Sequence, residues 1–245
     1  MEFIAMRYSN MTWSLDHMGY IPILGLIGLV VAALGQIMGR LTPFLCPLGF
    51  GIVSVIMALL ALESHSYAKV FVSQKSLWTY TVAHNPKDCV AHNNLGNALL
   101  DTNRVPDAIE QFKQSLEIDP KYANAHLNLG VALQQQGQTA EAVEQYKLAS
   151  KINPNLAEAY SNFGDILLQS GQFSEAIEQY KLALKANPNL LSAHGNMGLA
   201  LYKMGRIPEA SEQYQEVLRI NPDDPLAKDN LEQLQALQKT APAEK

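Results

Sequence analysis

Residues 123–156 read ANAHLNLGVALQQQGQTAEAVEQYKLASKINPNL, and residues 157–190 read AEAYSNFGDILLQSGQFSEAIEQYKLALKANPNL. Each stretch is 34 residues long, and the two agree wherever a helix must pack, turn or stop. In the first, Ala125, Leu129, Ala132 and Leu133 recur at helical spacing until Gly137 supplies a residue free to adopt the left-handed turn that ends a helix. Thr139, Ala140 and Glu141 then open a second helix with the stripe Ala142, Val143, Tyr146 and Ala149, and Asn153 and Pro154 close it. One unit is therefore two helices joined by a short turn.

Working outward, the same marks continue on both sides. Gly96, Gly130, Gly164 and Gly198 hold one phase, Ala108, Ala142, Ala176 and Ala210 a second, Phe112, Tyr146, Tyr180 and Tyr214 a third, and Pro120, Pro154, Pro188 and Pro222 a fourth. Where the later copies have Gly137, Gly171 and Gly205, the first has Asn103, the next most tolerant residue for positive φ. Gly96 and its counterparts fall inside helices, where glycine costs roughly 1 kcal/mol relative to alanine, so they mark close approach of two helices. This combination of period and marks resembles the tetratricopeptide (TPR) repeat. The resemblance implies an all-α fold: a right-handed superhelix of four full repeats at 89–122, 123–156, 157–190 and 191–224, followed by a capping helix at 225–239 and a tail at 240–245. Before it, 63–88 reads as a linker helix and incomplete repeat, with Trp78 and Pro86 in phase with Phe112 and Pro120.

Residues 18–62 have a different character. Met18 to Gly39 and Leu41 to Leu62 contain no charged side chain, and each is long enough to cross a hydrocarbon core of about 30 Å as a helix. Arg40 alone separates them, so the expectation is a two-span transmembrane hairpin preceded by an N-terminal segment, 1–17. A signal peptide would open on a basic region, whereas this segment opens with Glu2. Arg40 in the connection favours the cytoplasm and so an extracytoplasmic TPR array, while Lys69 and Lys75 after the second span weigh the other way. Cys46 and Cys89 offer no disulfide framework.

A net charge of −5, with no clustered stripe of Lys and Arg, argues against nucleic acid as a partner. No Ser-His-carboxylate set, metal motif, phosphate loop or dinucleotide fingerprint is present, so no catalytic residue, metal or cofactor is expected. His92, His126 and His194 share one slot of three units and read as packing or groove-edge residues.

The functional candidate is a ladder. Asn94, Asn128, Asn162 and Asn196 stand two residues before the repeat glycines, and with their neighbours one and two turns away they define one face of each first helix. The candidate peptide-binding residues on it are Asn94, Asn97 and Asp101; Asn124, Asn128 and Gln135; Glu158, Asn162, Asp165 and Gln169; and Asn196 and Lys203. An asparagine amide both donates and accepts, so a row of them can hold the backbone of an extended peptide without reading its side chains. The alternative is that asparagine fills a solvated slot between helices. The pattern resembles the TPR superhelix of the O-GlcNAc transferase family, where such a ladder lines the concave surface.

A second resemblance covers the membrane part. Asp16-His17-Met18-Gly19-Tyr20-Ile21-Pro22-Ile23-Leu24-Gly25, two spans, then Ser76-Leu77-Trp78, Asn85-Pro86 and repeats are similar to the C-terminal part of membrane O-mannosyltransferases and their bacterial relatives, multi-span GT-C glycosyltransferases with TPR arrays outside the cytoplasm. The family's acidic catalytic motif lies in an early loop with no counterpart here. Together the two resemblances imply a membrane-anchored, non-catalytic module that captures polypeptide partners on an Asn-lined face. The alternatives are a substrate-presenting arm for a multi-span glycosyltransferase partner, and a cytoplasm-facing scaffold for a membrane assembly.

Overall fold

The computed structural model describes residues 73–240 continuously, with side chains to Ala236, together with Val55 and Leu59. The hairpin expected at 18–62 and the segment 1–17 lie outside the described residues. Among the described residues no helix is long and apolar enough to cross a membrane.

Residues 73–240 form ten helices in chain order: α1 (Gln74–His84), α2 (Cys89–Leu100), α3 (Val105–Ile118), α4 (Ala123–Gln135), α5 (Thr139–Ile152), α6 (Ala157–Gln169), α7 (Phe173–Ala186), α8 (Leu191–Lys203), α9 (Ile207–Ile220) and α10 (Pro225–Thr240). Each helix packs on the next in sequence, so α2–α3, α4–α5, α6–α7 and α8–α9 are the paired helices of four units, with α1 against the first and α10 against the last. The even-numbered first helices also touch one another, α2 with α4, α4 with α6, and α6 with α8. They line one common surface, and the odd-numbered helices lie behind them.

The turns within units follow from backbone chemistry. Gly137, Gly171 and Gly205 take φ of 82°, 77° and 75°, and Asn103 takes 57° in the same place. In each case the amide just past this residue reaches back to close the first helix, as Gln138 N does on Leu133 O at 2.9 Å. Between units the closing asparagine or aspartate is extended and donates its own amide to the preceding turn, as Asn153 N does to Ala149 O at 2.9 Å.

The core runs the length of the array. The unit alanines Ala108, Ala142, Ala176 and Ala210 are wholly buried, as are Phe112 and Tyr180. Each aromatic ring lies under the first-helix glycine of its own unit: a Cβ on Gly164 would stand 2.7 Å from Tyr180 Cε1, and one on Gly130 2.5 Å from Tyr146 Cε1. The missing methyl is therefore the space the ring occupies. Ser115, also wholly buried, donates its hydroxyl to Cys89 O at 2.7 Å and ties α3 to the first turn of α2.

Candidate peptide-binding site

The ladder positions sit on α2, α4, α6 and α8, with Asp101 at the end of α2, and face the surface those helices share. Asn94, Asn97, Asn128, Asn162, Asp165 and Asn196 are half-buried, whereas Asp101, Asn124, Gln135, Glu158, Gln169 and Lys203 are exposed. The half-buried ones thus form the floor and the exposed ones the rim.

The floor amides are partly committed to one another across unit boundaries. Asn128 Nδ2 donates to Asn93 Oδ1 of the preceding unit at 2.9 Å, and Asn196 Nδ2 donates to Asp165 Oδ1 at 2.7 Å. Asn94 Oδ1 accepts from Asn93 Nδ2 at 3.4 Å. Asn128 and Asn196 therefore work as ties between neighbouring first helices, and they keep polar capacity beyond that tie, because each amide has two N–H groups and a carbonyl with two lone pairs.

The tyrosines complete the floor from below. Because no Cβ blocks Gly164, the ring of Tyr180 passes under α6 and its hydroxyl donates to Asp165 Oδ1 at 2.8 Å. Tyr146 does the same one unit earlier, donating to Gln134 Oε1 at 2.9 Å and bonded by the side chain of Asn162. Burial pushes the Tyr180 phenol far above its ordinary range, and the Asp165 carboxylate beside it adds to the effect. Burial also raises Asp165, against the hydrogen bonds from Tyr180 and Asn196, which lower it. Unit one has Phe112 and so no hydroxyl under its asparagines.

Between units three and four the floor opens into a groove of about 480 Å³ lined by Asp165, Leu168, Gln169, Gly171, Phe173, Asn196, Leu199 and Lys203. The sequence pattern reaches five of these, all on one face of α6 and α8; it does not reach Leu168, Gly171 and Phe173. Those three come from the end of α6, the turn after it and the start of α7, beyond the helical spacing of one face. Asn230 on α10 lies outside the pattern as read over four units. It is half-buried and continues the ladder one period past Asn196, and extending the same count by one more unit finds it.

The histidines have a structural task. His92, His126 and His194 are buried, with Nδ1 facing Gln111, Gln145 and Gln213 Oε1 at 2.9, 2.7 and 2.9 Å, and Nε2 facing the carbonyls of Pro86, Pro120 and Pro188 at 3.2, 3.1 and 3.0 Å. A neutral ring satisfies both by donating from Nε2 to the proline carbonyl and accepting at Nδ1 from the glutamine amide turned through a half rotation. Each histidine thereby fastens the start of a first helix to the inter-unit turn before it and to the second helix of its own unit.

A family model of the TPR repeat matches residues 96–137, 132–168 and 164–205, and one of the tetratricopeptide repeat matches 192–224, together more than half of the chain. The chain belongs to the tetratricopeptide repeat family. Both models describe a repeat, and TPR arrays typically serve as non-catalytic scaffolds. Among solved structures, the array is similar to the crystal structure of MamA, with 25% identity, 59% of this chain and 85% of that chain covered, and a TM-score of 0.54. It is also similar in fold to YrrB, described as a TPR protein with an unusual peptide-binding site, at 22% identity, 67% and 85% coverage and a TM-score of 0.56. A second MamA structure covers 70% of this chain and 93% of its own at 22% identity, with a TM-score of 0.54. No curated protein matches the chain significantly.

Proposed function

We propose that this TPR protein captures an extended stretch of polypeptide along the surface of α2, α4, α6 and α8, and that the apolar segment 18–62 anchors it as a two-span membrane hairpin with the repeats outside the cytoplasm. The observation that carries the capture reading is continuity. The four first helices touch in succession, so their polar faces merge into one strip with a groove at units three and four. An extended chain laid on such a strip satisfies its backbone groups against amides whose positions are already fixed. The peptide-binding site described for YrrB, an array of similar fold, agrees with this use of the architecture.

Anchoring and orientation rest on the charge-free stretches and on Arg40. The test is to purify the full chain in mild detergent from its host beside the Gln135→Ala, Gln169→Ala double variant. That variant alters the exposed rim and leaves the cross-unit ties intact. Polypeptide companions retained by the parent and lost by the variant support capture, and equal retention by both overturns it. Protease added outside intact cells cuts the repeats if they face outward and spares them if they face the cytoplasm.

A second reading, in which the array presents acceptor protein to a multi-span GT-C glycosyltransferase, rests on the resemblance of residues 16–25, the two apolar stretches and the repeats, in that order, to membrane O-mannosyltransferases. It predicts that such an enzyme is the main companion in the same purification.

A further inference from the structure

Charge is distributed unevenly over the four first helices. Asp101, Glu158 and Asp165 stand on their common face, and Lys203 is the single lysine or arginine in the whole of α2, α4, α6 and α8. It lies on the last unit and lines the groove between units three and four together with Asp165, so Asp101 and Glu158 have no lysine or arginine of these helices beside them, while Asp165 shares its groove with one.

Asp165 sits at the floor of the groove between units three and four. Its Oδ1 accepts both of the hydrogen bonds made to this side chain, from Tyr180 and Asn196. Its Oδ2 has no partner among the described residues and is not sealed from solvent, since no buried side-chain oxygen or nitrogen among them lacks a partner. Beside that free oxygen the groove offers Leu168, Leu199 and Phe173 as an apolar wall. Glu158 stands seven residues before Asp165 on α6, about 10 Å along the helix axis. That is the reach of three residues of extended peptide at about 3.3 Å each.

Resting on the capture reading above, we propose that the segment held at units three and four is an extended peptide that places one aliphatic side chain in this groove and a lysine or arginine within two residues of it, pairing with Asp165 Oδ2, with Glu158 about three peptide residues further along. The aliphatic side chain leaves water against Leu168, Leu199 and Phe173, and the cation meets a carboxylate already oriented by two hydrogen bonds, so little side-chain freedom is lost on binding. An acidic segment finds carboxylates where it needs cations over most of the strip, and in this groove it meets Lys203 together with Asp165.

The test uses the full chain and fluorescently labelled eight-residue Gly/Ser peptides that differ at two positions: Leu with Lys, Leu with Glu, and Ser with Lys. Anisotropy titrations at low salt should rank the Leu/Lys peptide at least tenfold tighter than either of the others. The Asp165→Asn variant retains an oxygen for both accepted bonds and removes the charge, so it should bring the Leu/Lys peptide to within about twofold of the Leu/Glu peptide without lowering the unfolding midpoint. Equal binding of all three peptides overturns the inference and leaves capture standing, as does an unchanged preference in Asp165→Asn. Tighter binding of the Leu/Glu peptide would mean that Lys203 dominates, which also overturns it. Failure of every peptide to bind removes this inference and the capture reading together.

Discussion

The four aromatic positions of the array allow the worth of a groove-floor hydroxyl to be measured with its packing held constant. Tyr180→Phe deletes one oxygen from a wholly buried ring, and Phe112 in unit one shows that the slot accepts a plain phenyl under its glycine. What is lost is the 2.8 Å bond to Asp165 Oδ1. A hydrogen bond to a charged acceptor contributes about 1.5–3 kcal/mol, and with the carboxylate still held by Asn196 the expectation falls near ~2 kcal/mol. Tyr146→Phe removes the bond to the neutral Gln134 at 2.9 Å and the one from the Asn162 side chain, and should cost about 1–2 kcal/mol. Tyr214 is buried, and among the described residues no hydrogen bond reaches its hydroxyl, so Tyr214→Phe should cost close to nothing, within about 0.5 kcal/mol. Urea unfolding of the full chain, followed by helical circular dichroism, gives the three values. The order is the informative part. If Tyr214→Phe costs as much as Tyr180→Phe, the loss comes from ring packing, and the hydroxyls do not organise the floor.

Two glycines three residues apart on α8 should respond differently to alanine. A Cβ on Gly195 meets nothing within 4 Å, so Gly195→Ala should stabilise by up to about 1 kcal/mol through helix propensity. On Gly198 it would sit 3.0 Å from Tyr214, and overpacking of about 1–3 kcal/mol should cancel or exceed that gain; thermal unfolding of both variants decides. Asn103→Gly should be neutral or slightly stabilising and Asn103→Ala should cost about 1 kcal/mol, because only the alanine opposes the observed φ of 57°; urea midpoints of the two variants give the comparison. Asp165 is raised in the folded protein, chiefly by burial, so the folded state binds its proton more tightly than the unfolded state does. Its contribution to stability is therefore fully present below the unfolded carboxylate value and is lost as pH rises through the folded one. Accordingly Asp165→Asn should be at least as stable as the parent at pH near ~7 in urea titrations, with the difference shrinking as pH falls. Asp165→Ala, which strands the Tyr180 hydroxyl, should cost about 1–3 kcal/mol at either pH.

The repeat marks made the helices and their turns legible because each mark answers a local question about backbone or packing. Asn103 could be placed in a left-handed turn from its phase with Gly137, and Gly164 could be read as a close approach from its phase with Gly96. The partners of the floor residues could not be read this way. Periodicity says which residues are equivalent, and the bonds depend on residues that differ between units. Asn128 donates to Asn93, 35 positions earlier, whereas Asn196 donates to Asp165, 31 positions earlier, where unit one offers Asn97 to Asn128 instead. Nor does a Tyr-for-Phe alternation reveal that the hydroxyl comes out on the far side of the first helix. That follows only from the depth at which the ring lies under the glycine.

These ties bear on whether asparagine here is structural or serves binding, a choice that supposes one side chain can do only one of the two. A free surface amide must surrender rotamer freedom to hold a peptide, at a cost of about 0.5–1.5 kcal/mol for each side chain immobilised. Asn128 and Asn196 have already given up that freedom in folding, since one N–H of each is fixed on the neighbouring unit. The second N–H and the carbonyl of each then stand in set directions. The tie between helices is therefore what would let the ladder meet an extended backbone in register, and a variant that breaks the tie should loosen the array and weaken capture together. A rim substitution such as Gln135→Ala should weaken capture alone, and that difference separates a preorganised groove from a merely polar surface.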